Sequence, residues 1–146
     1  MRLARWEQDR PGAHTMTSPT ENKAVIRRFF AEIDAGNLAS LDELVDEDYI
    51  DHHPPAFPGL PPGRAGLKRL FEIYQQWTPG VHEVLDQVAE GDLVLTRIRA
   101  HGPASLPDTG VVATAVHRVR DGKLVEHLDE HEYATRLTQI GVDAAS

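Results

Sequence analysis

Apolar residues recur at helical spacing in the first half of the chain and alternate with polar ones in the second, with a proline-rich break between. Ile26, Phe30 and Ile33, flanked by Val25 and Phe29, form one helical stripe. Ser18-Pro19-Thr20-Glu21 ahead of it has the residues of a capping box, and Gly36-Asn37 supplies the stop. Asn37 can cap a second, shorter helix carrying Leu38, Leu41, Leu44 and Val45, which ends at the acidic run Asp46-Glu47-Asp48. Tyr49 to His52 reads as a short extended piece. It runs into His53 to Gly63, where five prolines and two glycines forbid regular structure yet stiffen the chain enough to act as a wall or lid. Leu67, Leu70, Phe71 and Tyr74 then mark a third helix, closed by Thr78-Pro79-Gly80 after Trp77.

From Val81 the period changes to two. Val84, Asp86 and Val88 alternate with Glu83, Leu85 and Gln87, and Glu90-Gly91-Asp92 turns the chain into a strand over Leu93 to His101. Gly102 to Gly110 reads as a loop, Val111 to Arg120 as a third strand, and Asp121-Gly122 as a hairpin turn into a fourth from Lys123. Helices followed by a meander predict an α+β fold, with three N-terminal helices packed on one face of a strongly curved antiparallel sheet.

The hairpin bears on the chemistry. A two-residue loop sets Arg120 against Lys123, and an uninterrupted ladder would place Val116 opposite His127 and Thr114 opposite Asp129. Val112, Thr114, Val116, Val125, His127 and Asp129 would then share one face, and Ala113, Ala115, His117, Val119, Leu124, Glu126 and Leu128 the other. If the first face meets the helices, Asp129 becomes a desolvated carboxylate with a pKa raised toward the range useful for proton transfer.

The same stretch, Glu126-His127-Leu128-Asp129-Glu130-His131, would spell a zinc-hydrolase H-x-x-E-H motif on a helix. The hairpin argues for a strand, so no metal is expected. His52 and His53 are adjacent in an extended piece, point oppositely and form no chelate. His82, His101 and His117 carry no ligand spacing and read as surface residues. Phe30, Tyr49, Tyr74 and Trp77 are the aromatic candidates for lining a pocket.

Charge and composition narrow the partners. A formal net charge of −8 with scattered basic residues gives no reason to approach nucleic acid. The absence of cysteine excludes disulfides, thiol catalysis and thiolate metal sites. No apolar run approaches the length of a membrane span, so a soluble, cytoplasmic protein acting on a small molecule is expected. Residues 1–17 read as a disordered leader, with Met16 as an alternative start, followed by a single domain over 18–141 and a flexible tail over 142–146.

Several segments together carry a resemblance: Val25 to Phe30 with Gly36-Asn37-Leu38, "DYIDHHPP", "GLPPGRAGLKRLF", "AEGDLV" and "DGKLVEHLD". In order and spacing, Asn22 to about Gly141 resembles the SnoaL-like polyketide or ester cyclases of the superfamily named after nuclear transport factor 2. The resemblance implies a cone-shaped fold with a deep apolar pocket between helices and sheet, and a homodimer. It implies intramolecular aldol ring closure through an enolate, with neither metal nor cofactor. Asp129 would be the acid/base, His52 a pocket-facing hydrogen-bonding partner, and His127 a substrate-binding neighbour. Epoxide opening or isomerisation in the same pocket, and small-molecule binding without catalysis, are the alternatives that a shared fold leaves open.

Overall fold

The structure, a computed structural model, describes residues 17–54, 57–77, 80–101 and 111–132; for Trp77, Val111 and residues 129–132 it describes the backbone only. Of the expected leader over 1–17 all but Thr17, and the whole of the loop over 102–110 and of the tail over 142–146, lie outside the described residues.

Helix α1 spans Pro19–Asp34. Its N-terminus is the expected cap: Ser18 is extended, and its hydroxyl oxygen accepts the Glu21 amide at 3.1 Å. Its C-terminus closes as a Schellman motif. Gly36 adopts φ +78°, its amide donates to the Ile33 carbonyl at 3.1 Å, and the Asn37 amide donates to Glu32 at 2.9 Å. The stripe from Ile26 to Ile33 is buried, and Asn22 is buried with it, its side-chain amide donating to the Gly91 carbonyl at 3.2 Å.

The second helix is shorter than expected. A 3-10 turn over Leu38–Ser40 leads into α2, Leu41–Leu44, and Val45 already opens strand β1, Val45–Asp51. The acidic run therefore belongs to a strand. Helix α3 covers Gly63–Trp77 and places Leu67 and Leu70 in the core. Strands β2 (Val81–Glu90), β3 (Leu93–His101), β4 (Val111–Arg120) and β5 (Lys123–Glu132) form the expected meander. β1 adds to it parallel to β5, giving one mixed sheet in the order β1-β5-β4-β3-β2.

The core lies between the helices and one face of this sheet, and that face corrects the expectation for β4. Ala113, Ala115, His117 and Val119 are the buried set, together with Val94, Thr96 and Ile98 of β3 and Leu124 of β5. Val112, Thr114 and Val116 stand on the other side. The helices cover the small, apolar face of β4, where alanines give the aromatic residues of α1 room to approach. His117 is thus 4% exposed, contrary to its reading as a surface residue.

Candidate functional site

The Asp121-Gly122 turn, with φ of +53° and +72°, sets Arg120 opposite Lys123 and Val119 opposite Leu124, as a tight hairpin requires. The ladder then shifts twice. Arg118 pairs with Glu126, so Val125 is an extra residue; His117 pairs with His127; and Val116 pairs with Asp129, so Leu128 is a second extra residue. A β-bulge reverses the phase of a strand, because side chains alternate with a period of two. The first bulge brings His127 beside His117 on the inner face, where an uninterrupted ladder would have set it against Val116.

Parallel pairing completes a row. β1 sets Asp51 opposite His127. Reading inward from the sheet edge, Asp51, His127 and His117 occupy adjacent strands on the face that meets the helices. The two imidazoles stack with centroids 4.8 Å apart and planes 25° apart. His117 also meets Phe29 and Phe30 of α1 edge-on, each at 6.2 Å. The His127 Nδ1 proton is donated to Asp51 Oδ1 over 3.3 Å, and the His53 amide donates to the same oxygen at 2.9 Å.

The charges in this row follow from burial and contact. Burial disfavours the imidazolium form of His117, the His127 charge repels it further, and the attraction of Asp51 recovers only part, so its pKa falls to about 3. His117 is therefore neutral under ordinary conditions, and among the described residues its Nδ1 has no hydrogen-bond partner. Burial pushes the Asp51 carboxyl up, but the bonds from His127 and the His53 amide, with the charges of both imidazoles, outweigh it. Its pKa lies below the ordinary carboxylate value.

Asp51 also faces a cleft of about 370 Å³ between β1, the proline-rich strap and the first half of α3. Tyr49, Leu60, Pro61, Leu67 and Leu70 supply largely apolar walls, and Asp51 is the one carboxylate among the lining residues. The strap lies hard against α3 because Gly66 has no side chain: a Cβ there would stand 1.9 Å from the Pro61 carbonyl oxygen. Phe57 of the strap meets Tyr74 of α3 edge-on at 6.1 Å.

The residues expected at the site divide accordingly. Tyr49 lines the cleft, and Phe30 packs between His117 and His82, its ring 5.1 Å from the latter. Tyr74 lies between Phe57 and Phe71. The Trp77 side chain and the Asp129 carboxyl lie outside the described residues, and only the backbone of Asp129 is placed, opposite Val116. His52 does not face the cleft: its side chain is 44% exposed and bonds Glu126 across 3.1 Å. His82 is no free surface group either, since Asp34 accepts both its amide and its Nδ1 proton at 2.7 Å.

Asp51 and His117 are the residues that reading the sequence passed over. A signal existed for each. Asp51 follows the apolar Tyr49 by two positions on an extended piece, and His117 alternates with Ala113, Ala115 and Val119. The strand backbone of β5 through Glu132 removes the helical H-x-x-E-H parse, and among the described residues no three His, Asp or Glu side chains are grouped as a metal site. No helix of the described residues is long and apolar enough to cross a membrane.

Residues 26–127 match the model of the SnoaL-like domain. No protein of curated function matches the chain significantly. Among solved structures, a protein from Bacillus cereus provisionally assigned as a polyketide cyclase is 29% identical, with a TM-score of 0.67 over 82% of this chain and 79% of that one. Wild-type IdmH from Streptomyces antibioticus, with the same provisional assignment, is 30% identical, with a TM-score of 0.63 over 83% of this chain and 99% of that one. An LEH-like epoxide hydrolase from M. tuberculosis, 14% identical, has a TM-score of 0.66 over 83% of this chain and 89% of that one, and so shares the fold.

Proposed function

This chain belongs to the SnoaL-like domain family, and from that premise we propose that it is a cofactor-independent acid/base enzyme closing a ring in a polyketide-like ketone or ester by intramolecular aldol addition. The observation that carries the reading is Asp51, an ionised, half-buried carboxylate held by His127 at the edge of an apolar cleft. The resemblance to two provisionally assigned cyclases at about 30% identity supports the choice of ring closure.

The chemistry suits the group. A carbon between two carbonyls is acidic enough to yield its proton to a carboxylate in a water-poor cleft. Asp51 Oδ1 is occupied by His127 and His53, leaving Oδ2 as the oxygen those bonds do not use. Asp51 takes the proton, and the enolate carbon bonds to a ketone carbon of the same chain. The resulting alkoxide recovers the proton from Asp51, so the product is an isomer of the substrate. Its depressed pKa makes Asp51 a weaker base than an ordinary carboxylate, so the carbon it deprotonates must be an acidic one, and makes its protonated form a ready donor on return. The His127 N–H holds the carboxyl in place throughout, as an orienting partner does in a catalytic pair.

Asp129 is the acid/base that family resemblance implies, and the two aspartates are separable by experiment. With a linear 1,3,5-triketone as probe, deuterium uptake from D2O at the methylene carbons and formation of cyclised product are followed by NMR. Asp51→Asn should slow both by at least about a hundredfold, the low end of what a positioned general base contributes. Asp129→Asn should leave methylene exchange within a few fold. The reverse pattern would move the base to Asp129, and no exchange above buffer in the wild type would remove the cyclase reading.

A further inference from the structure

β1 is an edge strand whose ladder with β5 is interrupted. Three register pairs are formed, with a shift between Val45 and Ile50, and the last two, Ile50 with Glu126 and Asp51 with His127, fall at the very end of the strand. Such a strand end frays easily, because few backbone bonds hold it and Pro54 follows shortly. Yet this is where Asp51 must meet His127.

Two acid-histidine dipeptides, Asp51-His52 at the end of β1 and Glu126-His127 on β5, lie offset by one residue here and exchange partners. On the inner face His127 Nδ1 bonds Asp51 Oδ1 at 3.3 Å. Outside, His52 Nε2 bonds Glu126 Oε2 at 3.1 Å. Between them the His52 amide donates to the His127 carbonyl at 3.0 Å. Glu126 is itself anchored, with Oε1 3.6 Å from Arg118 Nε, and Arg118 bonds Asp92 at 2.6 Å. The outer bond therefore ties the loose strand to a fixed point on the sheet.

We infer that His52 is a positioning residue: with Glu126 it forms the outer half of a reciprocal clasp that holds Asp51 in register with His127, without itself touching substrate. The clasp explains why the dipeptide on each strand is acid then histidine. Side chains of adjacent strand residues point to opposite faces, so two parallel dipeptides of the same order, offset by one residue as the pairing of Asp51 with His127 sets them, give one acid-histidine bond on each face. Its catalytic consequence rests on the cyclase reading above, whereas its structural consequence does not.

The test reads the inner bond directly. In the wild type the His127 Nδ1 proton should be observable by NMR as a downfield signal protected from exchange, assigned by its loss in Asp51→Asn. His52→Ala should speed its exchange with water roughly tenfold or more, since small displacements within a catalytic pair carry costs of that order or larger. His52→Gln, whose amide can still donate to Glu126, should restore protection. Glu126→Ala should match His52→Ala, and the double variant should be no worse than either, because one bond is lost in each case. His101→Ala, at the end of β3 and away from this pair, serves as the control.

Unchanged protection in both His52→Ala and Glu126→Ala would overturn the clasp. So would a double variant whose effects simply add. With the triketone probe, kcat should fall about tenfold in His52→Ala while KM changes less than twofold. If protection is lost and the wild type shows no turnover, the clasp stands and the cyclase reading falls; if protection is lost while turnover is unchanged, the clasp stands and the Asp51–His127 pair leaves the mechanism.

Discussion

His117 sits in the row as an imidazole that cannot easily accept a proton. Its ring is enclosed by Phe29, Phe30 and the face of His127, so protonating it requires either a buried cation or local opening. An unfolded chain would bind that proton near pH 6.5, whereas the folded one resists to about 3. Between those values the unfolded state holds more protons, so stability rises with pH across the window and is lost as pH falls from about 6.5, at up to about 1.4 kcal/mol per pH unit. Asp51 has the same sign at lower pH: its contribution is full above the ordinary carboxylate range and disappears as pH falls through its depressed value. His117→Phe keeps the ring packing and removes the proton site. Urea midpoints measured at pH 7 and pH 5 should fall steeply in the wild type and much less in this variant; parallel falls would mean that His117 titrates normally.

At the scale of elements, two devices build the site. One is the pair of bulges in β5, each adding a residue without a partner and so selecting which side chains reach the inner face. The other is the close seating of the proline-rich strap on α3. Gly66→Ala would drive a Cβ into the Pro61 carbonyl, a backbone atom with little freedom to move, so the strap must shift at a cost of about 1–3 kcal/mol. The expected outcome is a lower urea midpoint together with weaker binding of the triketone probe, and a variant of wild-type stability would show that the strap yields freely. The strap was legible as a stiff wall from its prolines. The bulges were not, because Val125 and Leu128 look like ordinary strand residues and only the long-range pairing of β5 with β4 and β1 reveals them as extra.

For the whole molecule, the outer face of the sheet remains. Val88 is 67% and Leu95 41% exposed, they pair across β2 and β3, and Leu95 pairs in turn with Val116. An apolar strip of this kind on a sheet's open face is where the homodimer implied by family resemblance would find its contact. Sedimentation should then give twice the 16.2 kDa of one chain, and Leu95→Glu should shift it to the monomer while leaving methylene exchange measurable. A monomeric wild type at micromolar concentration would rule that contact out.

The sequence by itself determined α1, α3, the strands of the meander and the hairpin, though not the extent of β1, because capping, periodicity and turn chemistry are local: Ser18, Gly36 and Asp121-Gly122 act within a few residues of where they stand. It also determined the family, through motifs spread over most of the chain. What only the tertiary structure decided was which face of each strand meets the core and which acid meets which histidine. Those depend on two unpaired residues in β5 and on a parallel partner 76 positions away (127 − 51); a one-residue slip in the first would turn His127 off the inner face, and one in the second would part it from Asp51.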